Sequence, residues 1–179
     1  MVNELNQEFE RRDNIMISKK METALNKQIN AEFYSSYLYL SMAADFEAKN
    51  LPGFANWMKV QAQEEWGHGM RIYQYINEQQ GRVTLEAIEA PQKEWASALE
   101  MFEAANKHEQ HVTSLIHDLV TVATGEKDYA SQIFLQWFVN EQVEEEASAS
   151  AIVARLKMIG DSPQGLLILD HELGERKAH

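Results

Sequence analysis

The chain has 179 residues, 45% of them hydrophobic, with 8 Gly, 3 Pro and no Cys. That size suits one domain with its own core, and the absence of Cys excludes disulfides, thiolate metal sites and cysteine nucleophiles. A formal net charge of −12 repels nucleic acid and suits cations, and no apolar run is long enough for a membrane span or patterned like a signal peptide, so a cytoplasmic protein without nucleic-acid or membrane partners is expected.

Residues 1–15 are polar and charged and read as an N-terminal extension, ahead of a single domain over residues 16–179. Ser18 is a suitable N-cap for a helical pattern that runs to about Lys49 and breaks at Asn50-Leu51-Pro52-Gly53. A second helix is expected from Pro52 or Phe54 to Gln80, with Gly81 as its stop. Arg82 to Pro91 reads as a connection, extended at Val83-Thr84-Leu85. A third helix is expected from about Gln92 to Thr124 and, past a turn at Gly125-Glu126-Lys127-Asp128, a fourth from Tyr129 to Ile159. After Asp161-Ser162-Pro163 a short fifth helix covers about Gln164 to Gly174.

Four long helices with little else predict an all-α fold, a four-helix bundle with a short C-terminal fifth helix. The brief connections near Pro52 and Gly125 make antiparallel hairpins. The middle one, at ~3.3 Å per residue, reaches about 33 Å in ten residues. A helix of about 28 residues is about 42 Å long. With frayed helix ends the connection can cross most of the bundle, so a long crossover between helices two and three is expected.

Each helix has one best apolar stripe, and each stripe is interrupted near its middle by a polar group. The first helix gives Leu25, Glu32, Tyr39 and Phe46; the second gives Phe54, Met58, Gln61, Glu65, His68, Ile72 and Tyr75. The third gives Trp95, Phe102, Glu109, Ile116 and Ala123; the fourth gives Leu135, Phe138, Gln142, Glu145, Ala149, Ile152 and Leu156. A buried, unpaired carboxylate costs several kcal/mol. Four at similar heights on facing helices, with no Arg or Lys among them, call for metal cations. Glu65 and His68, three apart on a helix, can grip one ion from the same side. Four carboxylates, one imidazole and one amide suit iron or manganese better than zinc or copper, and four negative charges balance two divalent ions.

The chain resembles the bacterial non-haem ferritins from about Met16 to Lys177. The resemblance rests on Asn30-Ala31-Glu32-Phe33-Tyr34 through Tyr39, Gln63-Glu64-Glu65-Trp66-Gly67-His68, Lys107-His108-Glu109-Gln110, Asn140 through Glu146 and Asp170-His171-Glu172-Leu173. It implies a first iron site at Glu32, Glu65 and His68. A second would use Glu65 as bridge with Glu109 and Glu145, and Gln142 nearby. A third, towards the cavity, would map onto Glu64, Glu141, Glu144 and Glu145. Tyr39 would lie beside the iron pair as a hydrogen-bond or electron donor. The implied protein is a ferroxidase that oxidises Fe(II) with O2 or hydrogen peroxide and stores Fe(III) mineral in a 24-subunit cage. Haem is not expected, because Trp66 stands where bacterioferritins place a Met ligand. A rubrerythrin-like di-iron oxidase or peroxidase without a mineral store is the alternative. The second hairpin reads Gln142-x-x-Glu145 rather than Glu-x-x-His, which favours iron as a substrate over iron as a retained cofactor. A purely structural bundle with buried ion pairs is a further rival. Gly67 and Gly69 flank His68 inside the second helix, at a helical cost of about 0.5–1 kcal/mol each relative to Ala.

Overall fold

The computed structural model describes residues 17–177. The extension expected over residues 1–15 lies outside them. Among the described residues there are five helices: α1 (Lys19–Ala48), α2 (Pro52–Glu78), α3 (Ala98–Gly125), α4 (Tyr129–Ile159) and α5 (Pro163–Leu173). Helices α1 and α2 pack along each other as one hairpin, α3 and α4 as the other, and α5 docks against α2 and α4.

Local chemistry sets the helix ends. Ser18 caps α1 by accepting a hydrogen bond from the Met21 N–H at 3.0 Å, and Asp128 caps α4 through the Ser131 N–H at 3.0 Å. At their C-termini, α1, α2 and α3 each turn through a left-handed residue: Asn50, Gln80 and Lys127, with φ of 57°, 58° and 57°. In each, the next N–H reaches back to close the end: Leu51 to Phe46 O at 3.0 Å, Gly81 to Ile76 O at 2.8 Å and Asp128 to Ala123 O at 2.9 Å. The left-handed position after α2 is thus Gln80 rather than the expected Gly81, and α3 continues through Gly125.

The third helix starts later than expected. Ser97 is its N-cap and accepts from the Glu100 N–H at 3.1 Å, while Glu100 accepts from the Ala96 N–H at 2.6 Å. This reciprocal capping over Ser97-x-x-Glu100 leaves Gln92 to Ala96 outside the helix. Trp95 is buried, as a core residue should be, but from the connection rather than from the α3 seam. The connection therefore occupies residues 79–97. At ~3.3 Å per residue it can reach about 60 Å, well beyond the length of the bundle helices, and the crossover follows.

The apolar core is divided. One cluster holds Tyr39, Phe46, Phe54, Trp57, Met58, Phe102 and Leu156, the other Leu25, Ile29, Phe33, Ile72, Ile116, Leu135 and Phe138. A polar layer separates them. Across it, the α2 and α4 backbones nowhere bring two Cα atoms within 8 Å, so side chains alone span the gap.

Helix α5 is anchored to the start of α2 by a buried carboxylate. Leu51 offers no side-chain cap to α2. Instead Asp170 of α5, itself buried, accepts from the Gly53 and Phe54 N–H groups at 2.9 and 3.0 Å. A Cβ on Gly53 would lie 1.6 Å from the Asp170 carbonyl oxygen, so only Gly permits this approach. Leu169 and Leu173 face inward, whereas Leu167 and Ile168 are exposed. The run Leu166 to Leu169 thus divides between the bundle and an outer surface, as its pattern requires.

Candidate metal centre

All four long helices contribute to the polar layer. Glu32 comes from α1, Gln61, Glu65 and His68 from α2, Glu109 from α3, and Gln142 and Glu145 from α4; every one is buried. Each lies on its predicted apolar stripe, so the helical period that buries the neighbours buries these groups too.

One face of the layer joins Glu32, Glu65 and His68. His68 Nδ1 stands 3.4 Å from Glu65 Oε2 and 3.9 Å from Glu32 Oε2. A first-row ion with bonds of about 2.1 Å fits between donors up to about 4.2 Å apart, so the three can share one ion. Glu32 Oε2 is buried without a hydrogen-bond partner, an expensive state for a carboxyl oxygen that a metal bond relieves. Its other oxygen accepts from Gln28 at 2.7 Å.

The opposite face groups Tyr39, Glu109 and Gln142. The Tyr39 hydroxyl donates to Glu109 Oε1. Gln142 Nε2 is shared among Glu109 Oε2, the Glu109 carbonyl and Thr113 Oγ1, each at 3.3 Å. Between the two faces, Gln61 Nε2 donates to Glu65 Oε1 at 2.9 Å and to Glu145 Oε2 at 2.7 Å. Gln61 lies on its stripe, but its role as a bridge between two carboxylates depends on the rotamers of side chains from two helices, which the sequence does not give. Gln28 was missed for a plainer reason: it lies on the first helix one turn before Glu32, outside the chosen stripe.

Protons and hydrogen bonds hold this layer without metal. Burial, with the adjacent Glu65 charge, raises the Glu32 carboxyl to about 8. Burial and the same charge raise Glu145 to about 7 and push Glu109 well above the carboxylate range. Burial would raise Glu65 as well, but the hydrogen bond and charge of His68, with Gln61, hold it below its ordinary value. Burial would lower His68, but Glu65 and Glu32 overcome it and lift the imidazole to about 9. Burial, then Glu109, keeps the Tyr39 phenol protonated far into the alkaline range. The layer is thus one imidazolium–carboxylate pair, His68 and Glu65, beside carboxyls that burial pushes towards their neutral form.

Beside it opens a cleft lined by Glu64, His68, Glu141, Glu144, Glu145 and Arg176, among others. His68, Glu141 and Glu145 offer donor atoms within 4.8 Å of one another, as do Glu32, Glu65 and His68, so His68 stands at the junction of two possible ion positions. Glu144 is exposed and Glu141 half-buried, while Glu64 pairs with Arg176. His108, off the α3 stripe, is half-buried. Its Nε2 lies 2.8 Å from Ser35 Oγ and its ring meets that of Tyr39 edge-on, with centroids 6.1 Å apart.

The two glycines around His68 differ. A Cβ on Gly69 would come within 2.5 Å of the Phe33 ring, which stacks on Trp66 with centroids 4.5 Å apart. A Cβ on Gly67 would meet nothing within 4 Å.

Comparison with known proteins agrees with this arrangement. Residues 22–159 match the ferritin-like domain of the ferritin family. A bacterial non-heme ferritin of Bacteroides fragilis (strain 638R) is 47% identical over 161 residues, which cover 90% of this chain and 100% of that protein. A bacterial non-heme ferritin of Staphylococcus aureus (strain MRSA252) is 40% identical over 90% of this chain and 97% of its own length. Among solved structures, a novel open pore ferritin from the hyperthermophilic archaeon Archaeoglobus fulgidus superposes with a TM-score of 0.90 at 55% identity, covering 90% of this chain and 99% of that one. On this match, over nearly the whole of the relatives and with the buried carboxylate layer in place, the chain belongs to the ferritin family.

Proposed function

We propose that this ferritin oxidises Fe(II) at a pair of sites in the polar layer, with Glu32, Glu65 and His68 holding the first iron and Glu65, Glu109 and Glu145 the second. Gln142 assists at the second site and Tyr39 stands beside the pair. The observation that carries this reading is the convergence of four carboxylates and one imidazole from four helices into a buried layer between two apolar cores. That density of buried acid is stable only when protons or metal ions balance it.

The reaction takes one electron from each of two Fe(II). Hydrogen peroxide accepts the pair, with two protons, and leaves as two waters; O2 accepts it, with two protons, as hydrogen peroxide. Carboxylate oxygens favour Fe(III) over Fe(II) because the harder, more charged ion gains more from them. Glu65 lies between the two groups and is the ionised member of the layer, which suits a bridge. Tyr39 donates a proton to Glu109 by hydrogen bond and can orient that carboxylate for the second iron. Glu64, Glu141, Glu144 and Glu145 form a third station on the cleft, through which Fe(III) leaves for the mineral. Copies of the chain assemble into a 24-subunit cage, a reading supported by the similarity to cage ferritins and by the exposed Leu167 and Ile168 on α5. No described helix is long and apolar enough to cross a membrane, and we place the protein in the cytoplasm.

Aerobic addition of Fe(II) followed by size-exclusion chromatography tests the reading. The expected product is a large assembly carrying far more iron than two ions per chain. A small species that keeps two irons per chain and forms no mineral would sink it. Glu65→Ala is expected to abolish fast oxidation and leave assembly intact; wild-type rates in that variant would remove Glu65 as the bridge.

A further inference from the structure

The cleft beside the polar layer is not lined by acids alone. Arg176, from the segment after α5, enters it and is fixed there from several sides. The Asn56 side-chain amide donates to the carbonyls of Leu173, Gly174 and Arg176 itself, at 3.4, 3.3 and 3.1 Å. The guanidinium lies 4.3 Å over the Trp57 ring and donates through Nη1 to the Trp57 carbonyl at 3.4 Å. Through Nη2 it pairs with Glu64 Oε2. The two side chains are only 20% and 14% exposed, so salt screens the pair weakly. The second Glu64 oxygen, Oε1, is buried and has no hydrogen-bond partner. Glu64 is therefore a ligand with one oxygen held by a fixed cation and the other idle.

We propose that Arg176 is a built-in counter-cation that competes with an incoming metal ion for Glu64 and so sets the affinity of the cleft station. The proposal rests on the reading of that cleft as a third iron position. When the polar layer is loaded, His68 is engaged with Glu32 and Glu65, and an ion in the cleft then needs Glu64 to complete its ligands. Arg176 opposes that in two ways. It occupies the carboxylate, and its positive charge repels a divalent ion placed beside it. An ion in the cleft is held loosely for both reasons, which suits a station that passes iron on.

Anaerobic calorimetric titration of the iron-free assembly with Zn(II), a redox-inert probe, tests this without turnover. The first two equivalents per chain report the polar layer and serve as the internal control. In Arg176→Gln, which keeps a donor for Glu64 but not the charge, the third equivalent is expected to tighten by about tenfold or more. Tenfold is the smallest gain expected: it corresponds to a unit charge acting on a divalent ion about 6 Å away through the dielectric constant of bulk water, about 80, and the part-buried cleft screens less than that. Arg176→Lys keeps the charge and is expected to bind the third equivalent as the wild type does. Adding Glu64→Gln to Arg176→Gln is expected to cancel the gain. A third equivalent unchanged or weakened in Arg176→Gln, a gain equally large in Arg176→Lys, or a gain that survives Glu64→Gln overturns the proposal. Failure of the wild type to bind the first two equivalents would overturn the di-iron reading, and this one with it.

Discussion

Anaerobic loading of the iron-free centre with Fe(II) is expected to expel protons, and the arrangement of the layer sets how many. At pH 7, Glu32 and His68, raised to about 8 and about 9, each carry a proton, and burial pushes Glu109 in the same direction. Glu145, at about 7, carries half of one, and Glu65, held low, carries none. Metal binding requires ionised carboxylates and a neutral imidazole, so about two and a half protons leave from Glu32, His68 and Glu145 for each pair of Fe(II), and the Glu109 carboxyl adds to that number. The buried charge then stays near zero, with four carboxylates facing two divalent ions. Calorimetry in buffers of different ionisation enthalpy counts the protons. The number should fall towards pH 9, where Glu32 and His68 lose theirs before the metal arrives. Release of one proton or fewer per pair at pH 7 would refute the assignment of neutral acids to the layer. The same groups govern stability. Glu32, Glu145 and His68 all have folded values above their free values of 4.5, 4.5 and 6.5. Their contribution is complete below those free values and is lost as pH rises through about 7, 8 and 9. Iron-free protein is therefore expected to melt at falling temperature from pH 5 to 9, and metal-loaded protein to resist that fall.

Gln61→Leu removes the one donor shared by Glu65 and Glu145. It is expected to cost the iron-free protein about 1.5–3 kcal/mol, most of it regained on Zn(II) loading; equal losses with and without metal would contradict the bridging role. The glycines around His68 are expected to diverge. Gly69→Ala forces the Phe33 ring to move and should destabilise by about 1–3 kcal/mol. Gly67→Ala meets no atom and should stabilise by about 0.5–1 kcal/mol, both read by thermal melts. Asp170→Ala strips the N-terminus of α2 of the side-chain oxygen that accepts from Gly53 and Phe54. A loss of about 1–2 kcal/mol is expected to appear as about 5–30-fold faster amide exchange across residues 163–173, and unchanged protection there would show that α5 is held by something else.

The stripes of the long helices were legible because burial follows a 3.6-residue period, and the interruptions stood out because acids are rare on such stripes. Glu32, Glu65, His68, Glu109, Gln142 and Glu145 could be picked out on that ground alone. What remained hidden depends on side-chain direction or on long-range contact. The start of α3 is the exception, since Ser97-Ala98-Leu99-Glu100 is a readable capping signal. The anchoring of α5 through Asp170 joins residues more than a hundred positions apart, and no local pattern announces it. The same is true of Arg176 on Glu64. His108 sits off the stripe of its helix, and only the packing of α1 against α3 brings Ser35 to its ring.

The polar layer is held largely by amides, and this bears on why iron passes through it. Gln28, Gln61 and Gln142 each donate to a carboxylate. An amide donor steadies an acid without adding charge, so it does not compete electrostatically with an arriving cation as a Lys or Arg would. Gln142 divides its donor group among three acceptors, each at 3.3 Å, long for a hydrogen bond, so it grips none of them firmly. On the Gln142 side, Glu109 Oε2 is then held only loosely, while Tyr39 holds Oε1. A histidine at this position would add a strong nitrogen ligand and hold the second iron in place. With the second iron placed as proposed, the amide would leave that iron to exchangeable oxygens, and the layer could empty after each oxidation.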